Sequence, residues 1–446
     1  GQIELPLPID VGYLALTNIK LALLTTTVEI DELELTDFEG NSDLILDSIA
    51  AKGVRIALLN QDEAASSSPA AMTNASETNS EQPAQKPASK KEQAPSADSA
   101  LPTSYSLSYD VPELPNIATP IPLSLGTFLV EDLHIIQGES KQQISLISLL
   151  EAHFKGSDVA IEEMTVVHEQ GEVKGKASAT LDGNFPLNVA INAKTKLGDT
   201  PQELSVAAAG ALDDLTLSVV ARGAVTANAN LMANILDSNL PIEFTANWQK
   251  QAIPTLENTT LKEGQLTLSG TMGDYVLKGA GAATLPDIGN VPVSLDVVLK
   301  KNNIFVNEAN INALDGSLTN TGTLYLNESI AWEGKTTLKN VSGRQFSTYA
   351  PEKISGEIDS ILQYSERGGL HMSLRDMTVS GVLQGKPLQV KGDAVYAGPS
   401  DLFVTNVNII QEHEQERNTI RAIAQVLNKR HLNANIAINV NAISSL

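Results

Sequence analysis

The residues best suited to metal or acid–base chemistry are six histidines, at His134, His153, His168, His371, His413 and His431. None has metal-ligand spacing, and the run from His413 to Arg417 (HEQER) lacks the second histidine of a zincin helix. They read as solvated or structural groups. Phosphate chemistry would need a glycine-rich loop. Gly171 to Ala177 (GEVKGKA) is one residue short of a P-loop and places Ala177 where a Ser or Thr should hold magnesium. Gly279 to Thr284 (GAGAAT) has two glycines of a dinucleotide fingerprint, lacks the third, and meets Pro286 where a helix should run, so it reads as a strand turn. There is no cysteine and no G-x-S-x-G elbow, which removes the common nucleophile arrangements, disulfides and thiolate metal sites. Adjacent carboxylates at Asp213 and Asp214, and at Glu162 and Glu163, are what so acidic a chain supplies in solvated turns. The expectation is of no catalytic residue, no metal and no cofactor, so not an enzyme.

If no side chain does chemistry, the elements themselves must carry the function. The 446 residues hold 30 Lys+Arg against 53 Asp+Glu, a formal charge of −23 that repels phosphate backbones and argues against nucleic-acid binding. No apolar run reaches the length of a membrane span. The chain opens on Gly1 without a leader, so it reads as a piece of a longer polypeptide.

From Gln61 to Ala100 the composition is Ala, Ser, Pro, Gln, Glu and Lys, too poor in bulky apolar residues to offset ordering entropy. It is expected to be a disordered insert between a first β-repeat at 1–60 and a continuous β-region at 101–446. Elsewhere the pattern has a period of two. Leu187, Val189, Ile191 and Ala193 alternate with polar residues, as do Val293, Leu295, Val297 and Leu299, and Leu432, Ala434, Ile436, Ile438 and Val440. Such strands present one apolar face and suit an antiparallel sheet.

A local motif, Asn-apolar-Pro-apolar-x-apolar, recurs around Pro186, Pro241 and Pro292, with related copies at Pro8, Pro122 and Pro387. Proline has no ladder N–H to give, so each copy is expected at a strand start. A larger repeat aligns Leu5–Gly12 on Thr119–Gly126 and, after a two-residue slip, Phe38–Gly40 on Phe154–Gly156. Without the insert this predicts a unit of roughly 75 residues and five or six strands. Short connector helices are expected at Ala229–Asp237 and Gln345–Ala350.

A strand presenting four buried aliphatic residues gains roughly 6 to 12 kcal/mol when that face leaves water, so the face needs a cover. A second sheet, closure into a solenoid, or an apolar ligand would serve. Aromatics are only 4% of the chain, which suits an aliphatic trough for acyl chains better than a shaped pocket. The predicted lining is Leu187, Val189, Ile191, Val293, Leu295, Val297, Leu299, Ile436, Ile438 and Val440. Some 30 stacked strands would make a trough of order 140 Å.

Three stretches, in this order, carry a family resemblance: Leu7–Leu21 (LPIDVGYLALTNIKL), Gly175–Pro186 (GKASATLDGNFP), and Asp315–Leu318 followed by Ser329–Gly334. The last continues through Phe346, Pro351, Lys353 and Gly356. Together they resemble the TamB family, in the AsmA-like group of repeating β-groove, bridge-like lipid-transfer proteins. The resemblance implies an elongated, twisted, open β-groove, or β-taco, of stacked antiparallel strands in a periplasmic protein anchored to the inner membrane. It also implies phospholipid acyl chains as ligand and a TamA-like Omp85 outer-membrane barrel as partner, contacted through regions other than these residues. The alternatives are a scaffold for outer-membrane protein assembly and a closed structural solenoid without a ligand.

Overall fold

A computed structural model describes residues 8–22, 26–58, 108–137, 140–253, 256–326, 330–348, 350–365, 369–398, 402–413, 416–427 and 431–440. The insert expected at 61–100 lies outside them. Every regular element described is a strand. The first five are long, β1 (Ile9–Ala22), β2 (Thr26–Gly40), β3 (Leu44–Leu58), β4 (Thr119–Gln137) and β5 (Ser140–Gly156), and are followed by β6 (Asp158–His168) and β7 (Gly171–Thr180). Then come β8 (Leu187–Leu197), β9 (Thr200–Ala211), β10 (Asp214–Gly223), β11 (Ala227–Ala233), β12 (Ile242–Trp248), and two-residue strands β13 (Gln251–Ala252) and β14 (Thr260–Leu261). The run continues with β15 (Gly264–Thr271), β16 (Asp274–Leu285), β17 (Gly289–Lys300), β18 (Asn303–Ala313), β19 (Gly316–Leu326) and β20 (Ile330–Val341). It ends with β21 (Glu352–Ser365), β22 (Gly369–Leu383), β23 (Lys386–Ala397), β24 (Leu402–His413), β25 (Glu416–Leu427) and β26 (His431–Asn439).

These 26 strands form one open sheet in which nearly every strand pairs antiparallel with the next, the arrangement of a twisted β-groove. Two departures interrupt the meander. β12 pairs directly with β15, leaving β13 and β14 as a side hairpin whose second strand touches β16. β3 and β4 pair in parallel, against the expectation of antiparallel strands throughout. A parallel pair needs a crossover, made here by the chain between Leu58 and Thr119. The described end of that crossover runs beside the loops following β11 and β7: Tyr109 donates its hydroxyl to the Ile235 carbonyl at 2.9 Å, and Ile117 N–H donates to the Leu181 carbonyl at 3.0 Å.

No helix occurs among the described residues, which corrects both predicted connectors. Ala229 to Ala233 belongs to β11, where Ala229, Leu231 and Ala233 alternate against Ala246, Phe244 and Ile242. Around Gln345 the chain makes turns, with Phe346 N–H donating to the Gly343 carbonyl at 3.0 Å. Six to nine residues without tertiary packing are too few to repay helix nucleation.

The proline motif is met in two ways. Pro8, Pro186 and Pro241 stand immediately before β1, β8 and β12. Pro122 sits at the register shift that opens the β4–β5 pairing, and Pro387 is the second residue of β23. Pro292 lies inside β17, paired with Ala282, at a position before the β17–β18 ladder begins at Val293. Its missing N–H therefore costs no ladder bond on that side. Gly279 and Gly281 are not in a turn; they lie within β16.

The repeat is real at the level of backbone but shorter in strand count than predicted, with three long strands from Ile9 to Leu58 where five or six were expected. Left-handed residues mark equivalent places. Asn18 (φ 55) and Asp132 (φ 59) stand 114 positions apart, as do Asp37 (φ 47) and Glu151 (φ 49). The β1–β2 and β4–β5 registers superpose with that single offset: Ile19↔Ile30 corresponds to Leu133↔Ile144. The two-residue slip of the sequence alignment is therefore absent from the structure.

Candidate functional site: the apolar inner face

Two transverse creases shape the first five strands. In their ladders a pair is skipped along Gly12, Asp37, Asp47, Gly126 and Glu151, and again along Asn18, Asp31, Gly53, Asp132 and Ser145. The two lines lie six residues apart on every strand, and the second crease met along each strand holds a left-handed residue: Asn18, Asp37, Gly53, Asp132 and Glu151. A left-handed residue interrupts the pleat, so the next apolar residue keeps to the same face only if the spacing lengthens from two to three. The residues do this. β2 carries Val28 and Ile30, then Leu33 and Leu35, then Phe38; β3 carries Leu44 and Leu46, then Ile49 and Ala51, then Val54 and Ile56. Side chains meet across the second crease of β3 and β4, where Ala51, Val54, Val130 and Leu133 are buried with Ile30, Leu33, Phe128 and Ile147 against them.

Small polar residues occupy the creases because Asn, Asp and Gly tolerate left-handed backbone. Gly53 (φ 61) lies against Asp31: a Cβ there would come within 2.1 Å of the Asp31 carboxylate. That carboxylate accepts both Arg55 guanidinium N–H groups at 2.9 Å, which holds its pKa below the usual aspartate value.

Register then carries one face from strand to strand. Val189 on β8 faces Ala208, which leads through Leu217, Leu231, Phe244, Leu268 and Leu277 to Val297 on β17. Leu187 leads by the same pairings to Leu299, and Ile191 to Leu295. From Val297 the row passes Val306, Gly322, Gly334, Ser360, Leu374, Ala394, Thr405 and Ala424 to Ala434, two residues from Ile436 and four from Ile438 on β26. All ten predicted lining residues but Val440, which follows β26, are thus set on one side of the sheet.

Their exposure differs. Val297 is 7% exposed, whereas Val293 is 45% and Ile436 58% exposed. Among the described residues no side chain is fully buried, so no second layer seals this face as a sandwich core would.

Polar groups on the inner rows bond to one another. Thr336 donates to Asn320 at 2.6 Å, and the Trp332 indole N–H to the Ser360 hydroxyl at 3.0 Å. Tyr275 donates to the Leu240 carbonyl at 2.6 Å, and burial raises its phenol pKa. The rest of the face is mostly aliphatic, with Tyr364 and Phe403 also exposed on it.

The two tryptophans are placed alike. Trp332 lies over Gly322 and Gly334, where added Cβ atoms would meet its ring at 2.9 and 2.3 Å. Trp248 covers Gly264 and Gly281, at 2.3 and 2.9 Å. Glycine rows let a large ring lie flat on the sheet without blocking the trough. The indole N–H of Trp248, unlike that of Trp332, is buried with no acceptor.

The motifs set aside on chemical grounds have structural roles. Gly171–Ala177 is the body of β7. Asp213 accepts both contacts of the Asn184 amide at 3.0 Å across neighbouring turns. Glu162 and Glu163 occupy the register shift between β6 and β7. A shallow depression of about 340 Å³ on the polar face, lined in part by Gln265, Thr267 and Glu308, has its Lys278 paired with Asp296 at 3.3 Å. The creases are what reading by strict alternation missed. Their signal is present as apolar pairs separated by two residues, at least one of them usually Asp, Asn, Glu or Gly.

A family model described as TamB, N-terminal domain, matches residues 1–446. No solved structure matches the chain.

Proposed function

Because this chain belongs to the TamB family, matched along its whole length, we propose that it is a periplasmic section of a bridge-like protein that conducts phospholipids between inner and outer membranes. The observation that carries this reading is the apolar row running from strand to strand without a covering layer. Water on such a face is costly, and acyl chains need no hydrogen-bonding partner, so they cover it without being held at one place. β13 and β14 stand off the main ladder, which leaves 24 of the 26 strands as rungs. At about 4.8 Å per rung the trough is roughly 110 Å long. The protein itself is anchored to the inner membrane in this reading, and a TamA-like Omp85 barrel receives it at the outer membrane through other regions.

Photo-crosslinking residues at Val293 and Ile436 of the full-length protein in cells test it. Both positions are on the face and exposed. Phospholipid is the expected adduct at both; its absence from both sinks the proposal. A second reading is a scaffold for outer-membrane protein assembly that templates incoming strands on sheet edges; among the described residues β1 pairs with β2 alone and β26 with β25 alone. Nascent barrel proteins captured from those edges, with no lipid captured from the face, would be its signature.

A further inference from the structure

We propose that the stretch from β11 to β15 is a fixed waist in the groove that meters passage to the acyl chains of one phospholipid at a time. Phe244 and Trp248 give it bulk, and Ala229 facing Ala246 leaves its gap. The inference rests on the conducting role proposed above and adds where passage is controlled. Strand length sets how far the inner face reaches around the trough. β11 and β12 have 7 residues each and β15 has 8, against 12 in β9, β16 and β17. At about 3.4 Å per residue the face shrinks from roughly 40 Å to roughly 24 Å.

A narrower strip without a second layer should be barer, yet this one is better covered. Among the described residues, no large apolar side chain on the inner rows between Leu204 and Val293 is exposed, whereas those two, at its borders, are 37% and 45% exposed. The cover comes from the rims, both drawn inward. At one rim Gln202, on an inward row of β9, holds the loop after β10 by both amide atoms. Val225 N–H donates to its Oε1 at 2.7 Å, and its Nε2 donates to the Val225 carbonyl at 3.2 Å. Ala224 in that loop is buried, and Thr226 N–H donates to Gln251 of β13, so the side hairpin continues the same rim. At the other rim the inward Tyr275 donates its hydroxyl to the Leu240 carbonyl, which draws the loop between β11 and β12 over the face. Tyr109 ties the same loop, at Ile235, to the chain leading into β4. Inside this frame Phe244 pairs with Leu231 and Leu268, and Trp248 lies over Gly264 and Gly281. Ala227 opposite Trp248, and Ala229 opposite Ala246, keep the strip from filling.

A strip this tightly framed closes when one small inward residue is enlarged. The test places a photo-crosslinking residue at Leu204 or at Ile436 of the full-length protein in cells, one on each side of the waist and both exposed on the face. Ala229→Phe fills the gap. Ala394→Phe adds the same bulk on β23, a strand of 12 residues, where the groove is wide. Both substitutions lie between the two reporters. With Ala229→Phe the ratio of phospholipid captured at the two sites should shift by at least about tenfold, because flow from one membrane starves the far side. With Ala394→Phe the ratio should stay within about twofold. Ala246→Leu fills the same gap with less strain and should shift the ratio in the same direction, and adding Phe244→Ala to Ala229→Phe should restore it. The proposal is overturned if Ala229→Phe and Ala246→Leu leave the ratio unchanged, or if Ala394→Phe shifts it equally. No phospholipid at either reporter in the unsubstituted protein is a different result: it is the conducting reading that then fails, and the waist falls with it.

Discussion

Gly53 shows how much a single position decides. Its backbone is left-handed and its α-carbon faces the Asp31 carboxylate, so Gly53→Ala meets both a conformational penalty and a collision. The expected loss is about 1–2 kcal/mol, read as a lowered midpoint in urea unfolding. The Asp31–Arg55 pair gives a pH dependence of known sign. Its hydrogen bonds lower the aspartate pKa in the folded chain, so the stabilisation is present above the unfolded value and lost as pH falls through the folded one. Asp31→Asn should lower the neutral-pH thermal midpoint slightly and leave melts below the folded aspartate pKa unchanged, so the fall in stability across the acid range flattens. The tryptophans separate a satisfied from an unsatisfied donor. Trp332→Phe removes a bond to Ser360 and should cost about 1 kcal/mol, whereas Trp248→Phe removes a donor without an acceptor and should be neutral or stabilising.

At the scale of elements, glycine rows and creases shape the inner surface. A side chain at Gly334 has no room beneath the Trp332 ring. Gly334→Val is therefore expected to lift the indole into the trough, measured as a red-shifted tryptophan emission against a Trp248→Phe background. The two creases are confined to the first five strands; β21 and β22, as long as β1 and β2, have register shifts instead. β2 and β3 have 15 residues each and cross both lines, whereas β8 has 11 and β10 has 10 and alternate without interruption. Alternation was therefore legible in Leu187 to Ala193 at once. In β2 the same inward face is written with steps of two and three, so a template of period two sees only fragments of it.

For the whole molecule, the separation of exposed from buried positions on one face distinguishes transport from stability. Val293→Asp and Ile436→Asp place charge where water already reaches, so the fold should survive while phospholipid capture in cells falls to background. Val297→Asp places it where only 7% of the residue is exposed. A buried unpaired carboxylate there should instead destabilise the neighbouring rungs by several kcal/mol, visible as faster amide exchange in β16–β18. Blocked capture with unchanged exchange for Val293→Asp is the result that ties the face to its ligand.

Residue order alone determined that the chain is all-β and that one side of most strands is aliphatic, because these depend on local spacing; of the motif prolines it placed only Pro8, Pro186 and Pro241 at strand starts, Pro122, Pro292 and Pro387 lying inside strands. It also carried the family resemblance. Tertiary structure decided what depends on long-range pairing: the parallel β3–β4 junction, the absence of connector helices, the alignment of creases across five strands, and the rows that join Val189 to Val297. A crease exists only when unpaired positions on neighbouring strands fall in line, and no single strand contains that information. Openness was decided in the same way, since a strand's alternation requires one face to leave water but does not say whether protein or ligand covers it.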